Sequence, residues 1–324
     1  MNSPVGLVCP RHQSPLTNTS SRVLACELGC QYPIINHIPR FVPPRNYATS
    51  FGLQWNTFRK TQLDSYTGTT ISRDRLDRLV GGQLGIVRGQ TVLEAGCGAG
   101  RFTEILLQAG AHVFACDLST AVEANFANIG DVPNYFVCQA DIASLPVLPE
   151  SFDSVICIGV VQHTPDPEKT IASLCLYVRP GGLLVFDHYT YGYAMTTSRR
   201  WLRSLLVRTP AEFALRFCDA MVNGLWYIHR FLWRHHRYSG MRDRFLRLSP
   251  VVDYQDAYPQ LSPEILHAWA TLDTHDTLTD VYKHLRSADE ITHTLRNCGM
   301  IDIETVYAGN GVEARARKPE RRSN

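Results

Sequence analysis

With 324 residues the chain can hold one full α/β domain and one small extra module. Its 32 basic and 30 acidic side chains leave a formal charge of +2, which gives no global drive toward nucleic acid. Hydrophobic residues make up 44% of the chain, the N-terminus lacks the apolar run of a signal peptide, and no apolar stretch is long enough to span a bilayer. Cytoplasmic residence is the expectation that follows. Of ten cysteines, seven are scattered (Cys97, Cys116, Cys138, Cys157, Cys175, Cys218, Cys298) and read as small buried hydrophobes.

The other three cluster in residues 1–45, which read as a separate module. Cys9-Pro10-Arg11-His12 and Cys26-Glu27-Leu28-Gly29-Cys30 are two ligand pairs on tight turns, separated by a short hairpin. That arrangement matches the knuckles of structural zinc, with thiolates from Cys9, Cys26 and Cys30 and an imidazole from His12. The spacing departs from two plain Cys-x-x-Cys pairs, and a metal-free β-module with free thiols is the alternative. His37 has no partner at suitable spacing and reads as a turn residue. Pro43 and Pro44 mark a linker.

Residues 46–84 read as a linker and helical arm. Trp55, Phe58 and Tyr66 stand out in its aromatic first half. Ser72 to Leu84 has the spacing of an amphipathic helix with Leu76, Leu79 and Val80 inward, ended by Gly81, Gly82 and Gly85.

Residues 85–189 carry strands alternating with helices. Thr91 to Ala95 is a strand, Gly96-Cys97-Gly98-Ala99-Gly100 a turn, and Phe102, Ile105, Leu106 and Leu107 open a helix. A second strand, Ala111 to Asp117, ends in a carboxylate that can accept both hydroxyl hydrogens of a ribose. Asn134 to Gln139 is the third, followed by Asp141, placed to accept from an exocyclic amine such as that of adenine. Phe152 to Val161 is the fourth, running into Gln162-His163-Thr164-Pro165-Asp166-Pro167, and Gly181 to Asp187 is the fifth. A dinucleotide fold would need Gly-x-Gly-x-x-Gly, but Arg101 stands where the third glycine belongs.

The Glu-x-Gly-x-Gly-x-Gly turn, the acidic ends of strands two and three, and the His-Thr-Pro-Asp-Pro loop together resemble the class I S-adenosylmethionine-dependent methyltransferases, of the type 11 kind. The resemblance covers about Gly85 to Tyr189 and the C-terminal strands. It implies a Rossmann-like seven-stranded α/β sheet. It also implies that Glu94 and the loop of Gly96, Gly98 and Gly100 meet the methionine end of the cofactor. Asp117, followed by Leu118, would take the ribose, and Asp141 with Ile142 the adenine. Without the resemblance, Asp117 reads as a helix cap paired with Ser119 and Thr120, and Asp141 as a turn residue. The segment Tyr32 to Phe41 resembles the zinc-ribbon-like module beside some methyltransferases, in many of which the metal is absent. In such relatives an N-terminal arm folds over the cofactor, a role open to Trp55, Phe58 or Tyr66; docking the arm on the core is the alternative.

Residues 190–280 are a helical insertion after strand five, above the carboxyl edge of the sheet, and read as a substrate lid. From Arg199 to Arg247 every Lys/Arg position is arginine, interleaved with Trp201, Phe213, Phe217, Trp226, Tyr227, Phe231, Trp233 and Phe245. A packed helical subdomain with solvated arginines, a membrane-surface contact and a site for a phosphate-bearing substrate all remain open. Residues 281–316 supply the last helix, capped at Ser287 with Glu290, and a hairpin of Ile301 to Tyr307 and Val312 to Ala316 turning at Asn310-Gly311. Residues 317–324 are a polar tail.

Methyl transfer to oxygen needs alignment and a base. His188, His275 and His163 are the candidates. His163 and His188 end strands and should face the pocket, while Asp273 or Asp276 could orient His275. The motif that resembles that of exocyclic-amine methyltransferases is absent after strand four. The expectation is O-methylation of a small molecule or saccharide. An rRNA base methyltransferase and a non-catalytic scaffold are the alternatives.

Overall fold

The computed structural model describes residues 3–43, 45–193, 195–235, 239–309 and 311–321. Chain order begins with a four-stranded antiparallel sheet of β1 (Thr17–Ser20), β2 (Val23–Ala25), β3 (Gln31–Ile35) and β4 (Ile38–Pro39). Asn36 and His37, both with positive φ, make the β3–β4 turn, as the sequence suggested for His37. Pro44 lies outside the described residues. The sheet is tied to the main domain by Arg40, which bridges Gln139 and pairs with Glu123 at 2.7 Å.

The arm forms α1 (Thr49–Thr57), α2 (Asp64–Thr67) and α3 (Ile71–Leu79). The last is shorter than expected because Gly81 and Gly82 take positive φ and turn the chain away.

Next come β5 (Thr91–Ala95), α4 (Thr103–Gln108), β6 (His112–Asp117), α5 (Ala121–Ile129), β7 (Tyr135–Gln139), β8 (Phe152–Cys157), α6 (Pro167–Tyr177) and β9 (Val178–Tyr189). β8 stops short of the predicted Val161, because the chain turns at Gly159 with φ +75°. The insertion is helical: α7 (Thr197–Leu206), α8 (Ala211–Arg234), α9 (Ser239–Leu248) and α10 (Pro263–Thr279). The chain closes with α11 (Ala288–Asn297), β10 (Ile301–Ala308) and β11 (Gly311–Arg317). Ser287 and Glu290 form the reciprocal cap that the sequence announced. Asn310, the expected turn residue, is outside the described residues.

The main sheet has seven strands in the order β10-β11-β9-β8-β5-β6-β7, with β11 antiparallel to both neighbours and the five strands from β9 to the β7 edge parallel. Both faces are covered, so alternate residues serve different cores. Leu93, Phe114 and Cys116 pack on one face with Phe136, Phe152 and Phe186. Val92, Val113 and Ala115 pack on the other with Leu76, Ile105 and Leu106. Each buried phenylalanine contributes on the order of 3–5 kcal/mol against alanine. Cys116, Cys138 and Cys157 are unpaired and buried in the first core, behaving as small hydrophobes. Strand order reverses between β5 and β8, so a crevice opens at their carboxyl ends. The insertion stacks over that edge, α7 and α8 both packing on α10.

Candidate active site

A cavity of about 600 Å³ lies at this crevice. Its floor is the turn after β5. Gly96 has φ +79°, and a Cβ there would come 2.2 Å from Val160 Cγ2, so only glycine fits. A Cβ on Gly98 would press on the Trp55 indole at 3.4 Å, which shows how closely the arm covers the loop. Asp117, ending β6, accepts from Gly98 N at 3.0 Å, Ser119 N at 2.8 Å and Ser119 Oγ at 2.7 Å. Burial raises its pKa against these three donors. Asp117 thus lines the cavity but does not cap α5 as the sequence alternative had it: its bonds to Ser119 shape the turn ahead of that helix, whose first position is set by Thr120 with no side-chain cap.

Leu118, Asp141 and Ile142 line the same wall, with Asp141 also accepting from Ala143 N at 2.9 Å. Glu94 and Gly100 do not line the cavity. Glu94 sits beneath the loop, where Thr103 donates to Oε2 at 2.6 Å and Oε1 has no partner among the described residues. Burial pushes its pKa up to about 8. From the arm Tyr47, Phe51 and Trp55 line the cavity, while Phe58 and Tyr66 stay outside it.

The opposite wall comes from the end of β9 and the insertion. Tyr189 and Tyr193 stack at 4.4 Å, and Arg199, Val252, Tyr254, Asp273, Asp276 and Thr277 complete it with Arg75 and Arg101. Arg75 is paired with Asp187. Arg101 donates only to neutral groups, Ser72 Oγ at 2.8 Å and Gln62 Oε1 at 2.9 Å, and burial lowers its pKa to about 10. Arg199 donates to the carbonyls of Pro250 and Val251. Asp273 is raised to about 7, first by burial and then by Asp276.

The three candidate histidines separate. His163 lines the cavity, edge-on to Phe51 and Tyr189. Its Nδ1 faces two acceptors, Asp280 Oδ2 at 3.1 Å and the Tyr282 carbonyl at 3.2 Å, so Nδ1 carries the proton. Nε2 is left as the basic nitrogen. Asp280 is fully buried and also holds Arg203 and Lys283. Burial opposes its ionisation, but the bond from His163 and these cations hold its pKa below the ordinary value.

His188 does not face the pocket. Strand residues alternate, so Asp187 and Tyr189 take the cavity side while His188 points to the other face, where its Nδ1 donates to the Tyr189 carbonyl at 2.7 Å. His275 does not line the cavity either, and neither Asp273 nor Asp276 orients it. It is buried between α10 and α1, donating from Nδ1 to Gln54 Oε1 at 2.7 Å, and burial lowers its pKa to about 4.

The sequence offered a usable signal here. Positions 273 and 276 share a helix face at roughly 60° separation, whereas 275 falls on another. Tyr189, Tyr193, Tyr254 and the arginines 75 and 101 carried no local signal.

Behind this wall Ser249, His229 and Asp253 form a chain: Ser249 Oγ to His229 Nε2 at 2.9 Å, and His229 Nδ1 to Asp253 Oδ2 at 2.8 Å. All three are buried and none lines the cavity. The chain pins the segment that carries Val252 and Tyr254 inward.

Outside the cavity, Cys9, His12, Cys26 and Cys30 converge with all four ligand atoms within 4.8 Å of one another. His12 Nδ1 lies 3.4, 3.7 and 3.8 Å from the sulfurs of Cys26, Cys9 and Cys30. These separations suit a closed tetrahedral metal site.

Residues 93–186 match the family model described as a methyltransferase domain. This segment is a methyltransferase domain. Relatives of the methyltransferase domain include the ubiquinone biosynthesis O-methyltransferases of Aromatoleum aromaticum (31% identical over 147 residues, covering 44% of this chain and 57% of that one) and Coxiella burnetii (34% over 104 residues, 31% and 44%). The chain spans about half the length of these curated relatives. Similar solved structures include an S-adenosylmethionine-dependent methyltransferase of Methanococcus maripaludis (TM-score 0.46, 12% identity, 87% of this chain and 99% of that one) and the magnesium protoporphyrin IX methyltransferase of Synechocystis with bound SAH (0.45, 16%, 85% and 97%).

Proposed function

We propose that the chain methylates a hydroxyl of a small polyhydroxylated acceptor, a saccharide or related molecule carrying a phosphate or carboxylate, with S-adenosylmethionine as donor. When bound, the donor supplies an electrophilic methyl group. The residues present fit it: the Gly96–Gly98 turn leaves backbone bare, Asp117 and Asp141 offer acceptor oxygens at the cavity wall, and Glu94 Oε1 remains unpaired under the loop. The names of the relatives support transfer to oxygen.

The observation that carries the reading is that His163, backed by Asp280, opens into the same cavity as the cofactor loop. His163 Nε2 would take the hydroxyl proton, and Asp280 would stabilise the resulting imidazolium. Stacked tyrosines and the carboxylates of Asp273 and Asp276 suit the faces and hydroxyls of a sugar. Arg101 and Arg199, which among the described residues donate hydrogen bonds to neutral acceptors, suit an anionic group.

Calorimetry with the donor, followed by transfer of a labelled methyl group to a panel of sugars and sugar phosphates, tests the proposal. Donor binding with transfer to a member of the panel supports it. No donor binding would point to a scaffold, and transfer to RNA instead would replace the acceptor class.

The four-residue cluster is proposed to hold one structural zinc ion. Metal analysis should find one zinc per chain, and Cys26→Ser should lower the melting temperature. Zinc-free protein with an unaltered Cys26→Ser melting curve would leave the module metal-free.

A further inference from the structure

The helix α8 has two apolar faces. One, with Ala214, Cys218, Val222 and Leu232, is buried. The other is exposed and runs through Phe213, Phe217, Ala220, Gly224, Tyr227 and Ile228. At 3.6 residues per turn these six positions fall within an arc of about 100°. A surface helix ordinarily carries one apolar stripe, turned to the core. Here Phe213 is 57% exposed and Tyr227 82% exposed on the second. The neighbouring helix α7 adds Trp201 and Leu205, 64% and 51% exposed, while its Leu202 and Leu206 pack inward against α8. Single exposed hydrophobics need no explanation, but a contiguous aromatic stripe does.

The charge around it has one dominant sign. Among the described residues of α7 to α9 and their connections, Arg200, Arg208, Arg216, Arg234, Arg244 and Arg247 are exposed, against Glu212, Asp219 and Asp243. No lysine occurs between positions 199 and 247. Planar guanidinium groups beside exposed Trp, Tyr and Phe match a surface that presents phosphates above hydrocarbon. No helix among the described residues is long and apolar enough to cross a membrane, so the contact would lie along the interface.

We infer that α7, α8 and α9 form a docking face for an anionic lipid bilayer. The aromatic stripe enters the headgroup region and the flanking arginines contact lipid phosphates. The inference stands apart from the methyl-transfer proposal, because lipid binding is read without turnover.

The test is sedimentation of the full chain with vesicles of phosphatidylglycerol and phosphatidylcholine, against vesicles of phosphatidylcholine alone. Binding is expected with the anionic vesicles only, and salt should release it. The Trp201→Ser/Phe213→Ser/Phe217→Ser variant should bind on the order of tenfold more weakly. Arg200→Gln and Arg208→Gln, which alter only exposed side chains, should each cost roughly fivefold. An unchanged melting temperature would show that the variants are folded. No sedimentation with anionic vesicles would overturn the inference. So would equal binding to neutral vesicles, or binding that neither set of variants changes. A dimer by light scattering that the aromatic variant dissolves would assign the face to a second copy of the chain. Binding to single-stranded RNA in place of vesicles would assign it to nucleic acid.

Discussion

The two walls of the cavity are built on different principles. The wall proposed for the cofactor takes its residues from consecutive turns at the carboxyl ends of β5, β6 and β7, within residues 96–142. The facing wall gathers side chains from positions 75, 101, 189, 193, 199, 254, 273 and 276, brought together only when the insertion folds onto the sheet edge. The first wall is anchored by the sheet's own ladders. The second depends on buried polar contacts that tie the insertion's connecting segments to its helices, such as Asp280 with Arg203 and Asp253 with His229. A site so divided keeps one ligand class fixed while the other is free to vary.

Four substitutions would break or sharpen this contrast, taken from the largest expected effect. His163→Gln should lower kcat by about 10²–10⁴-fold with donor affinity unchanged in calorimetry, because the general base is lost while the cofactor wall stays intact. A parallel loss of donor binding would place His163 on the wrong wall. Asp253→Ala removes the partner of a buried histidine and should cost about 3–5 kcal/mol in denaturant unfolding. If the walls are independent, donor affinity measured on the folded variant stays near that of the parent.

Asp117→Ala should weaken donor binding on the order of 10–100-fold, the effect of removing a charged acceptor. Unchanged affinity would mean that the carboxylate serves only Gly98 and Ser119. The smallest effect concerns Asp273. Its folded pKa of about 7 exceeds that of an unfolded aspartate, so the folded state binds more protons over the interval between them. Stability therefore falls as pH rises from about 4 to about 7 and is flat above. Asp273→Asn removes that penalty. It should be more stable than the parent at pH 8 and differ little from it at pH 4, compared by melting curves at both values.

The same contrast explains what could be read from sequence. The seven-stranded sheet and the placement of Gly96, Gly98, Asp117 and Asp141 on the cavity wall were legible because each belongs to a local motif at a strand end, whereas Glu94 and Gly100, expected at the same wall, do not line it. His188 was misplaced by the parity of a single residue. β9 is buried on both faces over its second half, so no polar alternation shows which side chain looks into the crevice. His275 was overrated because proximity in sequence to Asp273 and Asp276 is not proximity on a helix. Tyr254 and Arg101 could not be assigned to one cavity from sequence, since 153 positions separate them. Of the three arm aromatics singled out, only Trp55 reached the cavity, while Tyr47 and Phe51, in the same aromatic stretch, were not among the candidates and do line it.

The sealed chain of Ser249, His229 and Asp253 has the connectivity of a hydrolytic triad. Its serine also accepts from Val251 N and is 3% exposed, so no acyl group can reach it. A template search based on side-chain geometry alone would report a serine hydrolase here. A fluorophosphonate probe should instead leave the protein unlabelled, because a nucleophile requires an approach path as much as a base.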